Sequence, residues 1–468
     1  MGFLFVNIKT LVMAASIILA GSAQAELNLE VSETILSVDA DAPVVTSSVN
    51  FSSVGLKRLR AVRSRSIVIE DPELNAWIRG LGRRLVAHTS YAGRPFYFVI
   101  VRDNEVNAYA TQGGLIVIHS GLILRTRSES ELAAVMAHEI AHITQQHIER
   151  MIAQSKNSTV GNAAAVVAGL LVGSKDPTAG QAIVTSAMAI DAHRSLRFGR
   201  SAETEADREG LRILAKARFD PHGMTRFLRK LNDGQDPRYS DITQYLSTHP
   251  LSTQRVNDIQ QWAQRYGAFR GKSRLPYFYM QEKLQKLTRA GKSGGHVPAS
   301  VKRYGQAYQA LLRGNAQLAL KQLPVKTQIV PEVILQAKSY HQLGQYQKAV
   351  DLLKPQVARY PLEESLLLPL ANAWLGLGQV DAAWQTIGHI ALVEQTSLEF
   401  LETRQEVARL AGHLAQAYLS IAERNIRIGA YTHALSQLQQ ALKLPKLTSA
   451  ERQLVERAIF KAKRFKKR

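Results

Sequence analysis

His138-Glu139-Ile140-Ala141-His142 sets two histidines four residues apart, with a carboxylate directly after the first. On an α-helix, residues four apart share a face. Both imidazoles can therefore take one metal ion, while Glu139 stands beside it towards a bound water. A catalytic zinc site usually has three protein ligands and one open position, so two histidines leave it incomplete. Glu203-Thr204-Glu205-Ala206-Asp207 supplies the remainder. Glu203 and Asp207 lie one helical turn apart. Glu203 can ligate the metal, and Asp207 can accept the second N–H of a ligand imidazole, His138 in the first instance, which fixes its tautomer. Glu205 points elsewhere on that helix. One Zn2+ per chain is the expected cofactor, and Glu139 the expected general base of a peptide-bond hydrolysis. The oxyanion of that reaction needs a further donor. His249, in Ser247-Thr248-His249-Pro250-Leu251, is the candidate, with Arg255 in support. The alternative for this string is a helix start capped by Thr248. His147 is expected to face away from the metal and His119 to be structural.

The elements that must hold these groups can be read from periodicity. From Asp71 to His88, Leu74, Trp77, Ile78, Leu81 and Leu85 recur at three- and four-residue steps, which predicts a helix. Phe96 to Val101 and Leu115 to Ile118 read as strands. Gly113-Gly114 forms a turn between the second of these and Asn107-Ala108-Tyr109-Ala110. Ser128 to about Gln154 reads as one long helix, with Ser130 as a candidate cap. Between the histidines and Glu203, Ala163 to Val172 carries no charge, and Gly161, Gly169 and Gly173 punctuate the run. A second small-residue run spans Ala179 to Ala189. The 161–190 segment reads either as two buried helices or as a lid over the cleft or membrane-contacting hairpin.

The chain has 468 residues, too many for one ordinary domain. Its first 25 residues have the form of a cleavable Sec-type leader: one charge at Lys9, an apolar run from Leu11 to Ala20, and Ala23-Gln24-Ala25 as the cleavage string. Export to the periplasm is the expectation. The absence of cysteine excludes thiol catalysis and Cys-ligated zinc. A net charge of +21 points to an anionic partner. An exported chain seldom meets nucleic acid, which leaves a peripheral contact with an anionic membrane surface or an acidic protein. Six of the last eight residues, Lys461 to Arg468, are basic; they read as such a contact or as a solvated, frayed terminus.

Composition changes around Lys292-Ser293-Gly294-Gly295, where a linker is expected. Beyond it, Ala337, Tyr340, Gly344, Tyr346 and Ala349 recur 34 residues later as Ala371, Trp374, Gly378, Val380 and Ala383. That period, with small and aromatic residues in these places, is the tetratricopeptide signature. An earlier degenerate copy runs through Ala307, Ala310, Gly314 and Ala319. A later one has Gly429, Tyr431 and Ala434, with an irregular unit before it. The expected fold is α+β and mainly helical: a leader over 1–25, a metallopeptidase domain with a small β-sheet over 26–290, and an α-solenoid of tetratricopeptide repeats over 298–468.

Four strings carry a resemblance: Asn107-Ala108-Tyr109-Ala110, the His138–His142 pentapeptide, Arg200-Ser201-Ala202 running into Glu203–Asp207, and Thr248-His249-Pro250 with Arg255. They resemble the metallopeptidase family that includes the CaaX prenyl proteases and the heat-shock membrane protease. The leader and repeats point to its periplasmic, repeat-bearing members. The resemblance implies zinc on His138, His142 and Glu203, with Glu139 as base. It implies that Asn107, Ala108 and Tyr109 line a substrate edge strand, and that His249 is either a fourth ligand restraining activity or the oxyanion donor. It also implies unfolded or misassembled substrates, outer-membrane β-barrel precursors among them, and contact with their assembly machinery through the repeats. A rival expectation is a non-proteolytic tetratricopeptide scaffold or chaperone with a vestigial metal site.

Overall fold

The computed structural model describes residues 48–154, 199–233, 243–267, 274–289 and 297–466. The leader, the 161–190 segment and the expected linker lie outside the described residues. Residues 48–468 form one compact unit. It is mainly helical with one small sheet, the α+β class expected. Among the described residues no helix is long and apolar enough to cross a membrane.

The catalytic half starts with α1 (Ser48–Arg65) and α2 (Pro72–Val86). Asp71 caps α2 by accepting the Leu74 N–H at 3.0 Å, with Pro72 in the first turn, where its missing N–H costs nothing. Leu74, Ile78, Leu81 and Leu85 are all buried, as their spacing requires. β1 (Tyr97–Val101), β2 (Ala108–Thr111) and β3 (Leu115–His119) form a sheet in the order β1-β3-β2. β1 runs parallel to the central β3 and β2 antiparallel to it. β1 and β3 are buried throughout, which suits their Val/Ile content. β2 is left as an edge. α3 (Ser120–Arg125) leads into α4 (Glu129–Thr144), the helix of the histidines.

Two expectations for α4 are corrected. Its cap is Ser128, which accepts the Glu131 N–H at 3.3 Å; Ser130 instead accepts the Asp220 N–H at 3.2 Å. The helix does not run on to Gln154. It stops at Thr144, Gln146 takes a left-handed backbone (φ +56°), and helix resumes over 147–154 as α5.

Beyond α5 come α6 (residues 199–216), α7 (His222–Asp233), α8 (Thr243–Thr248), α9 (Thr253–Gln264) and α10 (Leu275–Thr288). The rest is an array of short helices: α11 (Ala299–Leu312), α12 (Ala316–Gln322), α13 (Val330–Gln342), α14 (Tyr346–Arg359), α15 (Glu364–Gly376), α16 (Val380–Ile387), α17 (Leu398–Leu410), α18 (Leu414–Arg427), α19 (Tyr431–Leu442) and α20 (Ser449–Lys466). The tight turns after α11, α13, α15, α17 and α18 each hold a glycine with positive φ: Gly314, Gly344, Gly378, Gly412 and Gly429. Only glycine takes that conformation without strain. Gly412 belongs to the repeat passed over in the sequence, 34 residues after Gly378, with Ala408 and Ala417 where Trp374 and Ala383 stand one unit earlier. The irregularity is the sharing of α18 between two hairpins. The terminal basic segment is helical to Lys466 rather than frayed. Lys461 pairs with Glu394 and Glu423, and the Phe465 ring lies under the Arg60 guanidinium at 3.5 Å.

α10 splices the two halves. Tyr277 donates to the Thr126 carbonyl at 2.8 Å, and Gln281 donates to the carbonyls of Ile123 and Thr126, both at 2.8 Å. On the other side, Tyr279 donates to Glu332 at 2.5 Å. Lys283 is fully buried against Glu73 and against Asp71 at 2.8 Å. Burial opposes its charge, but those carboxylates hold its pKa well above the ordinary lysine value. Further along, Arg79 donates to the Gln395 carbonyl at 2.6 Å, and the Gln395 amide to the Phe96 carbonyl at 2.8 Å. The array thus touches the catalytic half near its start, middle and end. Removing one partner of a buried ion cluster leaves the others uncompensated, so Lys283→Met is expected to lower unfolding stability by about 3–5 kcal/mol, read as an earlier urea transition. A transition at the wild-type position would show that Asp71 and Glu73 do not depend on the lysine.

Candidate active site

α4 carries His138, Glu139 and His142 from the core outward. Ala133, Ala134, Ala137 and Ala141 are small, buried residues that let neighbouring helices approach. α6 comes closest at Gly210, where a Cβ would stand 3.3 Å from the His138 amide nitrogen. That approach delivers the α6 carboxylates. Glu203 Oε2 lies 3.4 Å from His138 Nε2 and Oε1 lies 3.3 Å from His142 Nε2. The two Nε2 atoms face each other at 3.0 Å. Asp207 Oδ1 is 3.0 Å from His138 Nδ1.

His249 follows α8. Its amide donates to the Tyr245 carbonyl at 2.8 Å, and its ring lies 4.8 Å from that of Tyr245. Its Nδ1 is 3.0 Å from Glu203 Oε1 and 3.3 Å from His138 Nε2. On the other side, His249 Nε2 lies 3.4 Å from Glu139 Oε1, which has no hydrogen bond among the described residues. Thr248 ends a helix instead of opening one; the cap of α9 is Ser252, which accepts the Arg255 N–H at 3.2 Å. Arg255 grips Asp207 bidentately at 2.6 and 2.9 Å, reaches Glu203 Oε2 at 2.8 Å and donates to the Pro250 carbonyl at 3.1 Å. It therefore ties α6 to the loop that carries His249.

Burial pushes the Glu139 carboxyl above the usual carboxylate range, against the pull of His249 and His138. For Glu203 burial works the same way but loses to the surrounding imidazoles, which hold it well below that range. Asp207 is held down by Arg255, again against burial. The two ligand-like histidines split. Hydrogen bonds to Asp207 and Glu203 overcome burial and push His138 up to about 10, while burial and the neighbouring His138 take His142 down to about 3. The site draws in positive charge at one point. Two ring nitrogens and a carboxylate converging there, with His249 as a fourth donor, place their ligand atoms within 4.8 Å of one another and could hold a metal ion. That donor set suits zinc.

Edge strand β2 passes alongside, where the Ala110 amide hydrogen-bonds the Glu139 carboxylate. Asn107 is buried, with its Oδ1 unpartnered among the described residues; Ala108 is buried, and Tyr109 packs edge-on against His119. His119, buried, also lies 3.5 Å from Asp103. Glu205 points away from the convergence, as its place on α6 suggests.

One expectation is overturned. His147 does not face away: its Nδ1 is 2.9 Å from His142 Nδ1 and its Nε2 is 3.1 Å from Glu205 Oε2. The break at Gln146 turns it back, and nothing in Gln145-Gln146 announces a left-handed residue. Tyr245 was also missed, although it sits one helical turn before His249.

Residues 72–263 match the model of peptidase family M48. A Vibrio cholerae protein named for beta-barrel assembly enhancement is 40% identical over 227 residues, 48% of this chain and 46% of that protein. The beta-barrel assembly-enhancing protease of Escherichia coli K12 is 29% identical over 82% of this chain and 88% of its own length. That of Yersinia pestis is 29% identical over 90% and 95%.

If Asp207 orients His138, Asp207→Asn should weaken metal binding about 10–100-fold in competition with a chromophoric chelator. Equal affinity in wild type and variant would remove that role from Asp207.

Proposed function

We propose, from the match of residues 72–263 to the model of peptidase family M48, that this chain is a zinc endopeptidase of the periplasm acting on unfolded or misassembled outer-membrane β-barrel precursors. The observation that carries the chemistry is the convergence of His138 Nε2, His142 Nε2 and the Glu203 carboxylate, with a Glu139 oxygen beside it that has no hydrogen bond among the described residues. One Zn2+ held by these three residues would supply Lewis acidity, acidifying a water and polarising the scissile carbonyl. Glu139 accepts the proton of the attacking water and passes it to the leaving amine. Its pKa, raised by burial, makes it a stronger proton acceptor than an ordinary carboxylate. The substrate backbone adds to the free edge of β2 at Asn107, Ala108 and Tyr109, so recognition runs through main-chain hydrogen bonds and tolerates varied sequences.

His249 is the restraint. Its ring stands between Glu203 and Glu139, where the attacking water must enter. Arg255 positions the loop that carries it, through the Pro250 carbonyl. The leader routes the chain to the periplasm. The 34-residue units form tetratricopeptide hairpins that dock the β-barrel assembly machinery, and the basic surface supports a peripheral membrane contact. The names of the E. coli and Yersinia relatives support the barrel-assembly role.

Glu139→Gln should retain about one zinc per chain and cut the cleavage rate of an unfolded protein by about 10²–10⁴-fold. Wild-type cleavage by this variant would reject Glu139 as base. His249→Ala should raise cleavage at unchanged zinc content. A fall of about 10²-fold or more would instead assign His249 to the oxyanion.

A further inference from the structure

We propose that His147, Glu205 and Arg150 form an orienting chain for His142, the counterpart of Asp207 and Arg255 behind His138. The proposal rests on the reading of His142 as a metal ligand. In an unbroken helix His147 would stand about 140° around the axis from His142. The stop at Thr144 and the left-handed Gln146 bring the two rings to a centroid distance of 4.8 Å, with Nδ1 facing Nδ1. Gln146 is itself held: its amide donates to the Ile143 carbonyl at 3.1 Å, and its side chain donates to Tyr91 Oη at 3.1 Å.

The protons along this chain are dictated from its outer end. Arg150 donates to Glu205 Oε2 at 2.6 Å, and a carboxylate can only accept. The His147 Nε2, 3.1 Å from the same oxygen, must therefore carry a hydrogen. With His147 neutral, its Nδ1 is an acceptor, so His142 Nδ1 must donate to it across 2.9 Å. That leaves His142 Nε2 as a bare lone pair aimed at the convergence with His138 and Glu203. Read inward, the chain selects the one neutral tautomer of His142 that can ligate through Nε2. His138 is set the same way by a single carboxylate, since its Nδ1 meets Asp207. One helix, α6, thus supplies a ligand and both orienting anions: Glu203 inward, Asp207 behind one imidazole and Glu205 behind the other. His147 is buried, whereas Glu205 and Arg150 are partly exposed, so the chain leads from the site to the surface.

The test is zinc affinity measured by chelator competition on the full chain, with the cobalt-substituted protein's visible spectrum and the unfolding temperature of the metal-free protein alongside. His147→Phe fills the same space without ring nitrogens and is expected to weaken zinc binding about 10–100-fold and shift the cobalt bands, while the metal-free protein unfolds as wild type. His147→Asn, which keeps an acceptor beside His142, should recover part of that loss. Glu205→Gln, at a half-exposed position tolerant of change, should lose less affinity than His147→Phe. Zinc affinity within about twofold of wild type in both His147→Phe and Glu205→Gln would overturn the proposal. So would an equal loss in His147→Phe and His147→Asn accompanied by a lower unfolding temperature, which would make His147 a packing residue. His142→Ala separates the two levels. Zinc lost there but kept in His147→Phe rejects only the chain, whereas zinc kept in both rejects the ligand set itself.

Discussion

Two imidazole nitrogens, Nε2 of His138 and Nε2 of His142, are held 3.0 Å apart with a carboxylate against both. With His249 close by, these ligand atoms lie within 4.8 Å of one another, near enough to share one metal ion. Much of the surrounding structure serves to keep that arrangement from relaxing. α4 is buried along nearly its whole length, so the rings cannot turn out to solvent. α6 closes on it through Gly210, and Arg255 holds the Asp207 carboxylate at two points while also reaching Glu203 and the Pro250 carbonyl. A buried arginine between two buried carboxylates offsets part of the desolvation penalty that each would otherwise carry alone.

The same logic recurs away from the site. Lys283 sits buried between Asp71 and Glu73, and Asp71 also caps α2. α2 packs against both the sheet and α4, so the ion cluster that joins α10 to α2 stabilises the frame that aims the histidines. Through Tyr279 and Glu332 that frame continues into the helical array. Arg79, Gln395 and Phe96 close a second path between the two halves. The array is therefore fastened to the back of the catalytic unit.

Edge strand β2 and His249 meet at one residue. Glu139 is bonded by the Ala110 amide on one side and faced by His249 on the other. A change in the position of β2 or of the His249 loop would thus act on the same carboxylate.

The sequence by itself determined the chemistry. Four-residue spacing on a helix dictates which side chains share a face, so His138, His142, Glu203 and Asp207 could be grouped before any fold was known. Alternation and a glycine pair located the three strands, and a 34-residue period located the helical hairpins. It was less able to count them, because Gly412 stands among residues that have drifted from the aromatic pattern of the neighbouring units. Local patterns report faces, not long-range partners, and the tertiary structure decided the rest. Which cation meets Asp207 depends on α9 returning to α6. Lys283 looks like any surface lysine until α10 is inserted between the halves. The long helix expected through Gln154 breaks at Gln146, where the Gln146 side chain bonds Tyr91 and the ring of His147 comes to lie against His142. His147 was therefore placed on the wrong side of the helix by a periodicity that holds only while the helix does.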